Sequence, residues 1–347
     1  MSLFDTVRDL PLQVDGYSLE GIELQARPTF LRKTTVVHLQ GAGEEGIGED
    51  VTYDRDEHDR LQARGPDLPL QGSWTLHTLS EQLASLALFE QEPAQQAYHD
   101  YRRWAFESAA LDLALRQAGL SLGDAVRREP RPVDFVVSMA LGEPPITERF
   151  HAWLDLYASL RFKLDANSEW DDALVAELGA TGAVDSVDFK GHYRGTVVDT
   201  PPDAVLYRRV AEGLPDAWLE DPALTPETMG VLEPHRDRVT WDAIIHSVED
   251  IEALHWPPRT VNVKPSRFGS VERLFAAYDH CEARGIGAYG GGQWELGPGR
   301  GQIQLLASLF HPNTPNDVAP REFNLEPRPG LPVSPLEVAP RRTGFLL

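Results

Sequence analysis

Cysteine, lysine and long hydrophobic runs are scarce in this chain of 347 residues. Cys281 is the only cysteine, which excludes a disulfide framework or a thiolate metal site within the chain. No run approaches the roughly 18 consecutive apolar residues of a membrane span, and the N-terminus lacks the basic and then apolar plan of a signal peptide. We therefore predict a globular, cytoplasmic protein.

Positive charge is also in deficit, since the net charge is -22 and the sequence pI is near 4.8. Nucleic acids and anionic lipid surfaces are bound mainly by neutralising phosphates. The composition therefore predicts no nucleic-acid partner and no membrane partner.

Only four of the 32 lysine and arginine residues are lysines. A lysine, unlike an arginine, can lose its proton when it is buried or lies near other cations, so a rare lysine is a candidate base. Three of the four close short apolar runs: Lys163 in LRFKLD, Lys190 in SVDFKG and Lys264 in TVNVKPS. One such lysine is explained as well by snorkelling or by pairing with a carboxylate, but three in equivalent places indicate function.

Residues 1–128 predict an α+β domain. Residues 17–26 and 33–40 are rich in β-branched and apolar side chains, which is typical of strands. Residues 80–92 and 95–118 then show helical spacing of apolar side chains.

Residues 129–324 predict a modified (β/α)8 barrel, an α/β fold of roughly 250 residues. Short apolar strands alternate with amphipathic segments, which implies parallel pairing. The eighth strand is expected to be short or irregular, in the Pro- and Asn-rich HPNTPNDVAP, and the Pro-rich tail 325–347 to pack on the first domain. The seven predicted strands are VDFVVSMAL, LRFKLD, SVDFK, AWLED, VTWDA, TVNVKPS and GIGAYGG.

Three consecutive strands of this barrel end in carboxylates, Asp188, Glu220 and Asp242. Neighbouring strands lie about 4.8 Å apart, so carboxylates at adjacent ends can converge on one ion. Gathered without a cation they would repel one another, and oxygen ligands with open positions are typical of Mg2+. Alternatively, one or more of these acids cap the following helix or pair with an arginine.

Three motifs follow one another in the barrel half of the chain: WLEDP, VTWDA and VNVKPSRFGS. They are preceded by FKLD, GIGED and AFESAALDLALRQAGLSLGDAV. This set of motifs, in this order, resembles the muconate lactonizing enzyme-like branch of the enolase superfamily. The resemblance implies a TIM barrel under an α+β capping domain, and lysines on strands two and six that face each other across the substrate. It also implies that Asp188, Glu220 and Asp242 bind Mg2+, and that Lys264 is the base on strand six.

Strand ends two, three and five depart from that pattern. The family's Lys-x-Lys on strand two is here Lys163 and then Asp165, so an aspartate stands where the reactive lysine is usual. Lys190 takes the place of an amide on strand three, and Ala243 that of a glutamate on strand five. Lys163 is expected to act as an electrostatic partner of the substrate, and Asp165, Lys163 and Lys190 are all open as a second acid/base.

The chemistry that the resemblance implies is abstraction of a proton α to a carboxylate through an enediolate, as the enolase superfamily does with a Lys or His base and Mg2+. The predicted outcome is elimination or cycloisomerisation of a small-molecule carboxylate. The alternatives are a racemase or epimerase of a carboxylic acid or dipeptide, and an inactive barrel that serves as a binding protein. Barrels of this type often form homo-oligomers, and such association is compatible with the sequence.

The Gly-rich stretch GGGQWELGPGRG follows the seventh strand. Its backbone N–H groups could cradle an anion, and Gly291, Gly292 and Glu295 are the predicted substrate contacts within it. The alternative is a simple turn.

Overall fold

The computed structural model describes residues 2–27, 30–193, 196 and 198–347. A cap domain comes first, with a three-stranded antiparallel sheet in the order β2-β3-β4 and a ribbon of β1 and β5. Its strands are β1 (Pro11–Val14), β2 (Gly16–Arg27), β3 (Phe30–Gly41), β4 (Glu44–Asp50) and β5 (Gly72–Thr75). Its helices are α1 (Arg55–Arg64), α2 (Leu76–Ser85), α3 (Ala97–Gln117) and α4 (Leu122–Val126).

Helix α3 lies directly on strand β4 because the strand carries glycines where the two meet. A Cβ atom at Gly48 would lie 2.0 Å from the carbonyl oxygen of Ala105, and one at Gly46 would lie 2.2 Å from that of Ala109. Side chains at both positions are thus excluded by the backbone of the helix.

Helix α2 begins and ends earlier than the predicted residues 80–92. The hydroxyl of Thr75 accepts the backbone N–H of Thr78, and the hydroxyl of Thr78 accepts that of Thr75. This capping box starts the helix at Leu76. The chain then turns extended at Leu86.

The second part of the chain is the predicted α/β barrel. Strands β6 to β10 form one parallel sheet in chain order, and β11 pairs with β12. The N–H of Asn262 donates to the carbonyl of Trp241 at 2.9 Å, which joins the two sheets. The strands are β6 (Val137–Ala140), β7 (Phe162–Asp165), β8 (Val184–Asp188), β9 (Trp218–Glu220), β10 (Val239–Thr240), β11 (Thr260–Val263) and β12 (Gly287–Gly290). The helices are α5 (Glu148–Leu156), α6 (Asp172–Thr181), α7 (Ala204–Gly213), α8 (Pro226–Leu232), α9 (Val248–Glu252), α10 (Pro265–Phe268), α11 (Val271–Arg284) and α12 (Gly299–Phe310).

The eighth strand is reduced to two isolated bridges, as the Pro- and Asn-rich sequence predicts. Asn316 pairs with Phe135 ahead of β6, and Asp317 pairs with Gly291 after β12. These bridges close the ring of strands.

The cap domain docks on the loop that follows β12. The guanidinium of Arg32 donates to the carbonyl of Gln293 at 2.9 Å and to that of Trp294 at 3.2 Å. The carboxylate of Glu49 accepts the backbone N–H groups of Leu296, Gly297 and Gly299. The group that the backbone N–H groups of this Gly-rich loop bind is therefore a carboxylate of the cap domain. The cap domain thus lies over the loop at the carboxyl end of β12.

The C-terminal tail contacts both parts of the chain. Leu336 forms a bridge with Val133, where the barrel begins. The N–H of Phe345 donates to Asp112 on α3 at 2.6 Å, and Gly344 forms a bridge with Ser121. No helix in the described part of the chain is long and apolar enough to span a membrane.

Candidate active site

The ends of three adjacent strands bring together three buried carboxylates. Asp188 ends β8 and Glu220 ends β9, and the two residues are paired in the register of these strands. Asp242 follows β10 by two residues. All three are fully buried, and one oxygen of each lies within 4.8 Å of the others. The parallel register is what aligns these ends, so the barrel itself gathers the negative charge.

Lys163 on β7 bridges two of the carboxylates. Its ammonium donates to Glu220 Oε1 at 2.5 Å and lies 3.1 Å from Asp188 Oδ2. Burial disfavours the ammonium, but Glu220 and Asp188 outweigh that cost and raise the pKa of Lys163 well above its usual range. Lys163 is therefore a fixed positive charge at the centre of the site.

Lys190 wraps around the first of the carboxylates. Its backbone N–H donates to Asp188 Oδ1 at 3.0 Å, and its ammonium donates to Asp188 Oδ2 at 2.6 Å. The same ammonium lies 3.2 Å from Asp165 Oδ1. Burial again opposes the charge, and Asp165 and Asp188 raise the pKa of Lys190 well above its usual range.

Three donors converge on the third carboxylate, Asp242. The ammonium of Lys264 donates to Asp242 Oδ2 at 2.8 Å, and the hydroxyl of Tyr193 donates to the same oxygen at 3.0 Å. Arg267 donates to Asp242 Oδ1 at 2.5 Å. No sequence motif indicates Tyr193 or Arg267, although Arg267 lies only three residues after Lys264.

Lys264 differs from Lys163 and Lys190 because its ammonium is destabilised. Burial, followed by the positive charges of Arg267 and Lys163, lowers the pKa of Lys264 despite its pairing with Asp242. A lysine whose pKa is lowered can supply a neutral amine nearer to neutral pH. Among these three lysines, Lys264 is the one suited to accept a proton.

Asp221 holds the backbone at the end of β10, a contact that no sequence motif indicates. Its carboxylate oxygens accept the backbone N–H groups of Asp242 at 2.8 Å and Ala243 at 2.7 Å. Burial and the neighbouring carboxylates, Asp242 first among them, raise the pKa of Asp221 to about 8. Asp221 thus holds the end of β10 and orients Asp242.

The glycines after β12 make room for the side chains of Lys264 and Glu295. A Cβ atom at Gly291 would lie 2.6 Å from Cε of Lys264, and one at Gly292 would lie 2.2 Å from Oε2 of Glu295. Glu295 is itself buried, accepts the N–H of Gln293 at 2.6 Å and lies 3.2 Å from Arg300. Gly291 is therefore the closer of the two glycines to the strand-end charges.

Two tyrosines of the cap domain meet this loop. Tyr101 accepts a hydrogen bond from the side chain of Gln293 at 3.1 Å, and Tyr53 donates one to the same side chain at 3.1 Å. Tyr53 is 40% exposed and stacks on Arg32 at 4.5 Å. These contacts are long-range in sequence, so spacing carries no signal for them.

The three carboxylates fit a hard divalent cation. Their oxygens come from separate strand ends and converge without sulfur or imidazole, which is the donor set that Mg2+ prefers. The residues suited to hold it are Asp188, Glu220 and Asp242.

Comparisons with known proteins give a family and a fold. The family described as domain of unknown function (DUF8230) matches with its N-terminal domain at residues 5–125 and its C-terminal domain at residues 129–325. A search of curated protein sequences found no match.

Solved structures of the enolase superfamily share the fold at low identity. A superfamily member from Listeria innocua aligns with a TM-score of 0.64 and 17% identity over 89% of this chain and 86% of that one. Muconate cycloisomerase from Pseudomonas fluorescens aligns with a TM-score of 0.64 and 18% identity, over 96% of this chain and 94% of that one. A dipeptide epimerase from Methylococcus capsulatus complexed with a Mg ion aligns with a TM-score of 0.63 and 21% identity, over 88% of this chain and 89% of that one.

Proposed function

The chain belongs to the DUF8230 family and has the fold of the enolase superfamily, and from this premise we propose that it is a Mg2+-dependent enzyme that abstracts a proton α to a carboxylate. The observation that carries the proposal is the pairing of Lys264, whose pKa is lowered, with a triad of buried carboxylates. The substrate class is a small-molecule carboxylate.

Asp188, Glu220 and Asp242 would hold the Mg2+ ion. When bound, the ion stabilises negative charge that develops on the substrate carboxylate as the α-proton leaves. The 21% identical dipeptide epimerase, which was solved with a Mg ion, supports this choice of metal.

Lys264 accepts the α-proton at its Nζ atom. Lys163 stays protonated throughout and balances charge at the substrate carboxylate. Gly291, which lies against Lys264, and Gly292 and Glu295 after it are the proposed substrate contacts of the loop that follows β12. Trp294 and Tyr53 lie at the boundary where cap and barrel meet, since Arg32 donates to the carbonyl of Trp294 and Tyr53 donates to the side chain of Gln293.

Elimination or cycloisomerisation is the outcome that we propose, because both proceed with one base on one face of the substrate. Muconate cycloisomerase is one of the proteins that share the fold. Racemisation or epimerisation of a carboxylic acid or dipeptide is the second candidate. The position of Lys190 favours this second candidate. Lys190 is hydrogen-bonded to Asp188 and Lys264 to Asp242, so that two lysines flank the triad.

A catalytically inactive barrel that binds a carboxylate is the third reading. It is favoured by the four cations that already pair with the triad in the protein alone: Lys163, Lys190, Lys264 and Arg267.

The test is proton exchange in deuterated water. A library of acid sugars, aromatic acids and dipeptides is incubated with Mg2+ and the protein, and label at the α-carbon is measured by NMR and mass spectrometry. The proposal predicts labelling or turnover that Lys264→Met abolishes and that the surface substitution Lys33→Met leaves unchanged.

The outcomes separate the three readings. A new unsaturated or cyclised product supports elimination or cycloisomerisation. Label in unconsumed substrate of inverted configuration establishes the racemase or epimerase instead. Tight Mg2+ binding with neither exchange nor turnover across the library would leave the binding protein as the correct reading.

A further inference from the structure

The ammonium of Lys190 lies between two carboxylates on neighbouring strands. It is 2.6 Å from Asp188 Oδ2 at the end of β8 and 3.2 Å from Asp165 Oδ1 at the end of β7. Asp165 and Asp188 are paired in the register of these strands, so the side chain spans two adjacent strand ends.

The backbone holds Lys190 in this position at a cost. Its φ is +54°, in the left-handed region that residues with a Cβ atom rarely adopt. Such a conformation persists where the surroundings determine it, and it is concentrated at functional sites. Here the backbone N–H of Lys190 is fixed on Asp188 Oδ1, which aims the side chain along the face of the triad.

Asp188 Oδ2 is the oxygen over which cations compete. It receives the ammonium of Lys190 at 2.6 Å and lies 3.1 Å from that of Lys163. An ammonium at hydrogen-bond distance would repel a divalent cation on the same oxygen, because two positive charges so near each other in a buried site repel strongly. Lys163 is 2% exposed and also held by Glu220, whereas the side chain of Lys190 is 16% exposed.

Asp165 offers the displaced ammonium a second position. Its Oδ1 atom is buried and, within the described part of the chain, makes no aligned hydrogen bond, although Lys190 is already at ion-pair distance. A small rotation of the lysine side chain would therefore exchange one carboxylate partner for another without leaving a charge unpaired.

We infer that Lys190 is a displaceable counter-ion of the metal site: its ammonium neutralises Asp188 in the metal-free protein and shifts to Asp165 when a divalent cation binds. This inference rests on the metal site of the proposed function. It explains why a lysine and an aspartate occur together at these strand ends, and it assigns Asp165 as a positioning residue for Lys190.

Metal affinity of the full-length protein, treated with chelator and then titrated calorimetrically with MgCl2 or MnCl2, tests the inference. Lys190→Met removes the competing charge and is expected to tighten binding about tenfold. Asp165→Asn removes the second position and is expected to weaken binding about fivefold. Lys33→Met is the matched control, because Lys33 pairs with Glu23 and Asp59 far from the triad and should leave the affinity unchanged.

The double variant distinguishes displacement from simple long-range attraction. If Asp165 acts by receiving Lys190, Asp165→Asn should have little effect once Lys190 is methionine. Equal effects of Asp165→Asn in both backgrounds would overturn the inference, as would an unchanged or weaker affinity in Lys190→Met. Circular dichroism establishes that each variant is folded, and Asp165→Asn provides an independent test if Lys190→Met is not.

Wild-type protein and Asp188→Asn separate this inference from the proposed function. Metal binding by the wild type that Asp188→Asn abolishes, together with no change in Lys190→Met, would refute only the counter-ion role. Absence of metal binding by the wild type would refute the metal site and, with it, the inference.

Discussion

Two buried clusters of charge, one in each domain, are built on opposite plans. In the cap domain, Asp50 accepts the N–H and hydroxyl of Thr52 on one oxygen and Arg102 at 2.8 Å on the other. Two further N–H groups of Arg102 donate to the carbonyls of Leu88 and Glu57. In the barrel, the triad Asp188, Glu220 and Asp242 shares its oxygens among several cations. The first arrangement is that of a structural ion pair, and the second is the arrangement to which the proposed function assigns a metal ion.

The pKa shifts set one carboxylate of the triad apart from Asp50. Burial alone would raise the pKa of Asp50, but the guanidinium of Arg102 lowers it. In the barrel, burial and the neighbouring Asp188 and Asp242 raise the pKa of Glu220 to about 7 despite Lys163. Burial opposes ionisation of Asp188 and Asp242 as well, but Lys190 and Lys163 lower the pKa of Asp188 to about 2, and Arg267 and Lys264 hold the pKa of Asp242 well below its usual range. Within the triad, Glu220 is therefore the carboxylate whose charge the protein alone stabilises incompletely.

The largest expected effect is on catalysis. Lys264→Met should lower the rate of α-proton exchange by about 10⁴-fold, equal to about 5.5 kcal/mol of activation free energy, because it removes the base. The rate is measured by NMR in deuterated water with a substrate found in the library. Arg102→Met should leave the exchange rate of the folded protein unchanged. A lower exchange rate in folded Arg102→Met would contradict the assignment of catalysis to the barrel cluster alone.

Breaking the cap cluster should have the next largest effect, on stability. Arg102→Met leaves Asp50 buried without its partner and should lower the free energy of unfolding by about 4 kcal/mol. Urea denaturation measures the change. The exposed control Arg55→Met should change stability by less than about 0.5 kcal/mol, and equal effects at both sites would contradict a structural role of the cap cluster.

Metal-dependent stabilisation should belong to the barrel alone. Mg2+ at a hundred times its dissociation constant should stabilise the wild type by about 2.7 kcal/mol. Thermal denaturation with and without MgCl2 should show this gain in Asp50→Asn and no gain in Asp188→Asn. A metal-induced gain that survives in Asp188→Asn would move the metal site elsewhere.

Acid sensitivity should come in part from the cap cluster. Burial, followed by Arg32 and Arg102, keeps the pKa of His58 below its usual value despite Asp50. The unfolded chain then binds a proton that the native state does not, so stability is present above about pH 6.5 and is lost as the pH falls below it, by at most about 1.4 kcal/mol per pH unit. Denaturation experiments between pH 7 and 5 measure how the free energy of unfolding changes with pH. His58→Gln should lose less stability over this range than the wild type, and the control His151→Gln should lose as much as the wild type.

The sequence was sufficient for the architecture and for the convergence of the triad. Short apolar runs that end in Asp188, Glu220 and Lys264 predict parallel strands with their polar ends at one edge, and the structure has them there. The catalytic roles of these residues remain predictions.

Contacts that depend on tertiary geometry could not be predicted. The rarity of lysine and the departure from the family pattern indicate that Lys190 is unusual, but the turn that brings its ammonium to Asp165 depends on a positive φ. Similarly, Glu49 reaches the loop after β12 only because the cap docks there, about 250 residues away along the chain. An isolated motif contains no information about either partner.

The central claim is that the strand-end carboxylates of the barrel form a metal site. Its most direct test is a crystal structure of the protein soaked with Mn2+, with anomalous scattering data that locate the ion. We expect one strong anomalous peak about 2.2 Å from an oxygen of each of Asp188, Glu220 and Asp242. A peak bound elsewhere, or none at saturating Mn2+, would contradict it.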